Sequence, residues 1–134
     1  VSGNTESSSL LTMTGLHTDA LAESRTLRSQ KVRIEPLDVA LTPLLDRAQK
    51  HLLKIDVQGF ESQVLKGAQL ILPAVDVIDI EPSLVELYAG QPLYREMIDA
   101  LAGIGFQPIH FENGFVDPRT KAALQINVIF TRRR

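Results

Sequence analysis

Two short apolar runs constrain this chain more than anything else in it. "HLLKIDV" (51–57) and "AVDVIDIE" (74–81) are each dense in Leu, Ile and Val, and each carries an acid at or near its end, Asp56 and Glu81. In the first run Leu52, Leu53, Ile55 and Val57 do not alternate cleanly with polar residues, the pattern expected of a strand covered on both faces. Between the runs lies "ESQVLKGAQLIL", where Val64, Leu65, Ala68 and Ile71 fall on one face of a helix that Pro73 should end. Two strands joined by such a helix form a βαβ unit, which requires a parallel pair with a right-handed crossover.

The rest of the chain extends this sheet. Residues 1–30 are polar and Ser/Thr-rich, "VSGNTESSSLLTMTG" among them, and read as loop with a short helical turn after Thr18. "KVRIEPLDV" alternates Val32 and Ile34 with charged neighbours and predicts a half-buried strand ending near Pro36. "DVALTPLLDRAQK" predicts a helix with Asp38 as N-cap, or one starting near Thr42 because of Pro43. "PSLVELYAGQPLYREMIDALAGIG" predicts a helix split at Gly90–Pro92. Its second half would bury Leu93, Met97, Ile98 and Leu101 and end at Gly103 and Gly105. The remainder reads as strand, loop, strand, with Asn113-Gly114 and Asp117-Pro118 in the loop and Ile126, Val128 and Phe130 in the last strand. The order β-α-β-α-β-α-β-β predicts an α/β class: one domain over residues 1–134, its sheet mostly parallel and closed by an antiparallel C-terminal hairpin.

Composition excludes several functions. Of the 134 residues, 44% are hydrophobic and 22% charged, the balance of an ordinary globular domain. A net charge of −2 offers no broad basic field, so no nucleic-acid partner is expected, and the closing "TRRR" reads as a solvated tail. With no cysteine there is no disulfide, thiol catalysis or thiolate metal site. No apolar stretch is long enough for membrane insertion and no secretory signal opens the sequence, so a cytoplasmic protein is expected. Because the first residue is Val1, the chain reads as a piece of a longer protein. His17, His51 and His110 show no ligand spacing on one helix, so no metal site is expected of them. Ser7–Ser9 lack the glycine-flanked elbow of a hydrolase nucleophile, and neither a GxG turn nor a P-loop occurs.

Chemistry is expected at the carboxyl ends of the parallel strands, where open α/β sheets bind ligands. Neighbouring strands lie roughly 5 Å apart, so Asp56 and Glu81 would share one rim. Glu61, in the first turn of the intervening helix, would bring a third carboxylate. Each acid has a structural alternative: Asp56 as a turn cap, Glu61 as a helix-dipole partner, Glu81 as part of a helix start. Tyr88 either packs or reaches the cleft.

"LLKIDVQGFESQVLKGA" resembles the signature of FkbM-type methyltransferases, which move a methyl group from S-adenosylmethionine, typically to a hydroxyl oxygen. "GNTESSSL", "VIDIEPSLVELYAGQPLYREMIDALAGIGF" and "FVDPRTKAALQINVIFTR" resemble further family segments in order, with Asn127 where related sequences often carry Asp. The resemblance implies a Rossmann-like sheet in which 54–57 is the fourth strand, 77–81 the fifth, and the hairpin the antiparallel edge pair. The family's opening strand and Gly-rich cofactor turn have no counterpart, so the chain resembles the C-terminal portion of the catalytic domain. Those N-terminal strands would lie upstream or be missing. The resemblance further implies cofactor contacts at Asp56, Val57 and Gln58, acceptor contact at Tyr88, and proton handling by Asp56, then Glu81, with Glu61 sharing the task. The acceptor would be a hydroxyl-bearing small molecule, a sugar, polyketide or lipid; oligomeric state is not legible. Two alternatives stand beside this reading: a non-catalytic fragment or binding module lacking the cofactor loop, and a carboxylate-metal hydrolase built on the same three acids. Magnesium held by two strand-end oxygens is a minority route within the first reading.

Overall fold

Four strands form one sheet in the order β1-β2-β4-β3, where β1 is Leu52–Ile55, β2 Val77–Ile80, β3 Phe106–Asn113 and β4 Ile126–Arg132. The computed structural model describes every residue except Thr5, Arg47 and Arg134. β1 and β2 pair in parallel, with Leu52 opposite Val77 and Ile55 opposite Ile80. β4 then runs antiparallel to both β2 and β3. The sheet is therefore mixed, and the hairpin stands at the edge opposite β1, as expected. Pro108 is tolerated because β3 is an edge strand, and the pairing slips between Pro108 and His110 at a bulge.

The expected strand at Val32 and Ile34 does not form. Both side chains are exposed, 58% and 63%, and no element spans 25–36. Two alternating residues had no neighbouring strand to pair with, and alternation without a partner buries nothing. The same absence leaves β1 at an edge, so Leu52 is 65% exposed rather than covered on both faces.

Helices are shorter than periodicity suggests. α1 spans Gly15–Ala20, beginning before Thr18, and a 3-10 turn follows at Ala22–Ser24. α2 spans Leu37–Leu41 and passes into a 3-10 turn at Thr42–Leu44 that takes Pro43. The rest of that expected helix does not form; Arg47, within it, lies outside the described residues. Asp38 is not the N-cap, a place taken by Pro36. Its Oδ1 accepts the N–H groups of Leu70 and Ile71 at 2.9 and 3.1 Å, tying α2 to the turn after α3. α3 spans Glu61–Lys66; turns and the 3-10 segment Leu72–Ala74, which contains Pro73, complete the crossover to β2. Of the expected broken helix only α4, Tyr94–Gly103, is helical. Glu96 holds its start by accepting the Leu93 N–H at 2.8 Å. The segment before it is extended loop, bridged to Met13, Leu93 and Gln125.

Ile55, Ile78, Ile80, Val128 and Phe130 from the strands pack with Leu65, Ile71, Met97 and Leu101 into the main core. The last strand's Arg132 is part of this structure rather than a solvated tail. Its guanidinium donates to the carbonyls of Val75 and Leu72 and lies 4.6 Å from the centre of the Phe106 ring, while Arg134 lies outside the described residues. A smaller cluster of Ala20, Leu87, Tyr88 and Leu124 lies apart from it. Among the described residues, no helix is long and apolar enough to cross a membrane.

Candidate functional site

The parallel register sets the first relation in the site. Ile55 pairs with Ile80, so the next residues, Asp56 and Glu81, leave the sheet side by side at the carboxyl end. Beyond Asp56 the chain reverses through two consecutive left-handed residues, Gln58 at φ 52° and Gly59 at φ 94°. Gly59 is required twice over. Its φ suits glycine, and a Cβ there would lie 3.1 Å from Tyr88 Cβ and from Gln91 Oε1. Gln58 has no such freedom, and a non-glycine residue held there costs about 1–3 kcal/mol. Hydrogen bonds to three neighbours within reach of the turn hold it. Ser9 Oγ donates to its carbonyl at 2.6 Å, Tyr88 Oη donates to its Oε1 at 3.0 Å, and its Nε2 donates to Asp56 Oδ1 at 2.9 Å.

The three acids differ in accessibility. Asp56 is exposed. Glu61 is 4% exposed, and its Oε1 accepts the Gly59 N–H at 2.9 Å, closing the turn from below. Burial pushes the Glu61 carboxyl above its ordinary range, the Gly59 and Glu61 amides oppose this, and Asp56 adds to it. Glu81 is half-buried, and its backbone neighbour Gly114 leaves room for it: a Cβ on Gly114 would sit 2.7 Å from Glu81 Oε1. Burial raises the Glu81 carboxyl too, followed by repulsion from Asp56; Lys54 and a hydrogen bond from Gln58 pull the other way. Asp56 thus raises the proton affinity of both neighbouring acids.

A cleft of about 1160 Å³ opens on this rim, with Ser7, Ser9, Asp56, Val57, Phe60 and Tyr88 among its walls. Glu61 and Glu81 are not part of the wall. Tyr88 is fully buried in its side-chain body, and its Oη lies 2.9 Å from the Ser7 carbonyl and 3.2 Å from His17 Nε2 as well as near Gln58. Burial raises the Tyr88 hydroxyl well beyond its ordinary range, so it acts as a neutral donor. Tyr88 therefore packs, and it is also among the residues that line the cleft.

Sequence reasoning missed the support around this rim. His17 is 2% exposed, not a loop histidine, and Gln91, which falls at the Gly90–Pro92 break, is 7% exposed with its Oε1 accepting the Tyr88 N–H at 2.8 Å. Ser9, weighed only as a nucleophile, fixes the Gln58 carbonyl instead. None of these carries a local signal, because each partner is distant in sequence or masked by turn chemistry. Among the described residues, no group of three His, Asp or Glu side chains is arranged to hold a metal ion, which gives the carboxylate-metal hydrolase no support.

A family model of the methyltransferase FkbM domain matches residues 1–108. The chain belongs to that family. No curated protein and no solved structure matches the chain. The FkbM match takes in the N-terminal segment, Asp56, the left-handed turn, Glu61, Glu81 and Tyr88, and it stops inside β3. The end of the hairpin, with Asn127, lies outside it.

Proposed function

We propose that this FkbM domain performs S-adenosylmethionine-dependent methyl transfer to a hydroxyl oxygen on a small-molecule acceptor, with Asp56 taking or orienting the hydroxyl proton. One observation carries the assignment of Asp56: of three converging acids, it alone faces the cleft. The chemistry of the rim suits the cofactor. Glu61 and Glu81 have proton affinity raised chiefly by burial and in part by Asp56, so a positive charge beside Asp56 would be favoured. When bound, S-adenosylmethionine supplies an activated methyl group on a positively charged sulfur.

Within this reading each residue has a task set by its surroundings. Asp56 presents its carboxylate to the cleft, with one oxygen already oriented by Gln58. Val57 and Phe60 give the adjoining wall an apolar surface on which ligands would pack. Gln58 contributes through Asp56 rather than directly, since its carbonyl and carboxamide are already engaged. Glu61 shapes the turn, and Glu81 reinforces the negative field. A Rossmann-like sheet accords with the parallel β1–β2 pair and the hairpin at the opposite edge.

Calorimetry with S-adenosylmethionine is the first test, and saturable micromolar binding is the expected result. Binding only in the millimolar range favours the non-catalytic module. The second test is Asp56→Asn in the full-length protein, assayed by release of S-adenosylhomocysteine across a panel of hydroxylated acceptors. Turnover should fall roughly 100-fold or more with folding intact. Near-normal turnover removes Asp56 from the chemistry.

A further inference from the structure

The buried histidine has no role in the chemistry above, yet it touches the groups that hold Asp56. His17 sits in α1, between Tyr88 and Phe115, with both ring centroids at 5.3 Å. Its Nδ1 lies 2.8 Å from Ser24 Oγ and its Nε2 lies 3.2 Å from Tyr88 Oη. From there contacts continue through Gln58 to Asp56, so Ser24, His17, Tyr88, Gln58 and Asp56 form one unbroken chain.

Counting protons gives the chain a direction. Asp56 offers a carboxylate oxygen, so the Gln58 atom facing it is the donor NH₂. The Gln58 oxygen therefore faces Tyr88 and must accept from it. The other oxygen near Tyr88 Oη, the Ser7 carbonyl, also only accepts. Tyr88 has one proton, and both of these neighbours compete for it. Among the described residues, His17 Nε2 is the group placed to donate toward Tyr88 Oη. At the far end, the single Ser24 Oγ proton has two acceptors in reach, the Leu21 carbonyl at 2.6 Å and His17 Nδ1 at 2.8 Å. It goes to Nδ1 in the neutral Nε2–H tautomer, and to Leu21 whenever Nδ1 itself carries a proton.

We propose that His17 is a positioning residue for Asp56: its Nε2–H donates to Tyr88 Oη, leaves the Tyr88 proton to the Gln58 and Ser7 oxygens alone, and so helps hold the carboxamide that orients the Asp56 carboxylate. The functional consequence rests on the methyl-transfer reading; the hydrogen-bond direction does not. This polarity also accounts for a left-handed glutamine being kept at the turn. Its side chain is gripped at both ends, and the backbone conformation is what aims it.

Long-range ¹H–¹⁵N NMR of the imidazole tests the direction without any substrate. The expected signature is a protonated Nε2; a His17 ring with Nδ1–H alone overturns the proposal. His17→Gln keeps a donor near the Nε2 position, whereas His17→Leu removes it. The Gln58 carboxamide resonances, assigned through Gln58→Leu, should shift in His17→Leu and stay near wild type in His17→Gln. In a methyl-transfer assay His17→Leu should lower kcat on the order of tenfold with KM little changed, and His17→Gln should restore it. Unchanged Gln58 resonances in a folded His17→Leu variant sink the relay. A wild-type Nε2–H with a shifting carboxamide but no turnover in any variant supports the relay and discards the enzymatic reading instead.

Discussion

The molecule has two interiors of different kinds. In the main core, buried apolar side chains from all four strands meet those of α3 and α4, with the Arg132 guanidinium at its border. Behind the site, four buried hydrophobic residues share their space with His17, Ser7, Ser24 and Gln91. All buried side-chain nitrogens and oxygens among the described residues find partners. The first interior gains stability in proportion to area and tolerates any close-packed filling. The second has fewer buried apolar members, Ala20, Leu87, Tyr88 and Leu124. It fixes geometry, because each polar group there is satisfied in one arrangement and would be stranded in most others.

Breaking the first interior should have the largest effect on stability. Phe130 is fully buried between β2 and β3 on the central strand, and Phe130→Ala should cost about 3–5 kcal/mol by denaturant titration. A loss under about 1 kcal/mol would mean that the sheet core is not the stabilising unit. Gly59→Ala probes the join between the two interiors. The left-handed φ and the 3.1 Å approach to Tyr88 both oppose a methyl group, so a loss of about 1–3 kcal/mol is expected together with reduced ligand binding. Tyr88→Phe keeps the packing and removes one hydroxyl. It strands acceptors on Gln58 and Ser7, with an expected cost of about 1–3 kcal/mol. Its diagnostic feature is disproportion: turnover should fall further than stability, whereas Phe130→Ala should reduce stability and leave the folded fraction active.

The two interiors were also unequally legible. The strands at Leu52–Ile55, Val77–Ile80 and Ile126–Arg132 and the helix at Tyr94–Gly103 follow from hydrophobic spacing, since the core is filled by a repeating pattern along the chain. So does the convergence of Asp56 and Glu81, because parallel pairing places strand ends together. Spacing failed where burial depends on a partner elsewhere. Val32 and Ile34 alternate as a strand does, yet no neighbouring strand covers them. His17 lies in a polar stretch, and what buries it is Tyr88, seventy-one positions away. Glu61 lies in the first turn of α3, but its burial under the Gly59 amide is a property of the turn and not of the helix start that suggested it.

Acid–base behaviour gives the finest contrast within the second interior. Glu61 and Glu81 have folded values raised above the carboxyl reference of 4.5, chiefly by burial. Between that reference and the raised values the folded chain holds more protons than the unfolded one, so stability falls as pH rises. His17 is lowered below 6.5, again chiefly by burial. Between its lowered value and 6.5 the unfolded chain holds more protons, so stability rises with pH. The carboxyl trend runs upward in pH from 4.5 and the histidine trend runs downward from 6.5, with opposite signs. Glu61→Gln retains an oxygen for the Gly59 N–H but removes the charge, so its stability should climb with pH relative to wild type. His17→Gln removes the opposite contribution, so its stability should decline with pH relative to wild type. Denaturant titrations at several pH values from 4.5 to 6.5 measure both. Parallel curves for the two variants would show that neither buried group changes its proton affinity on folding. The rim would then be open to water, and the carboxylate field around Asp56 would be too screened to favour a cation there.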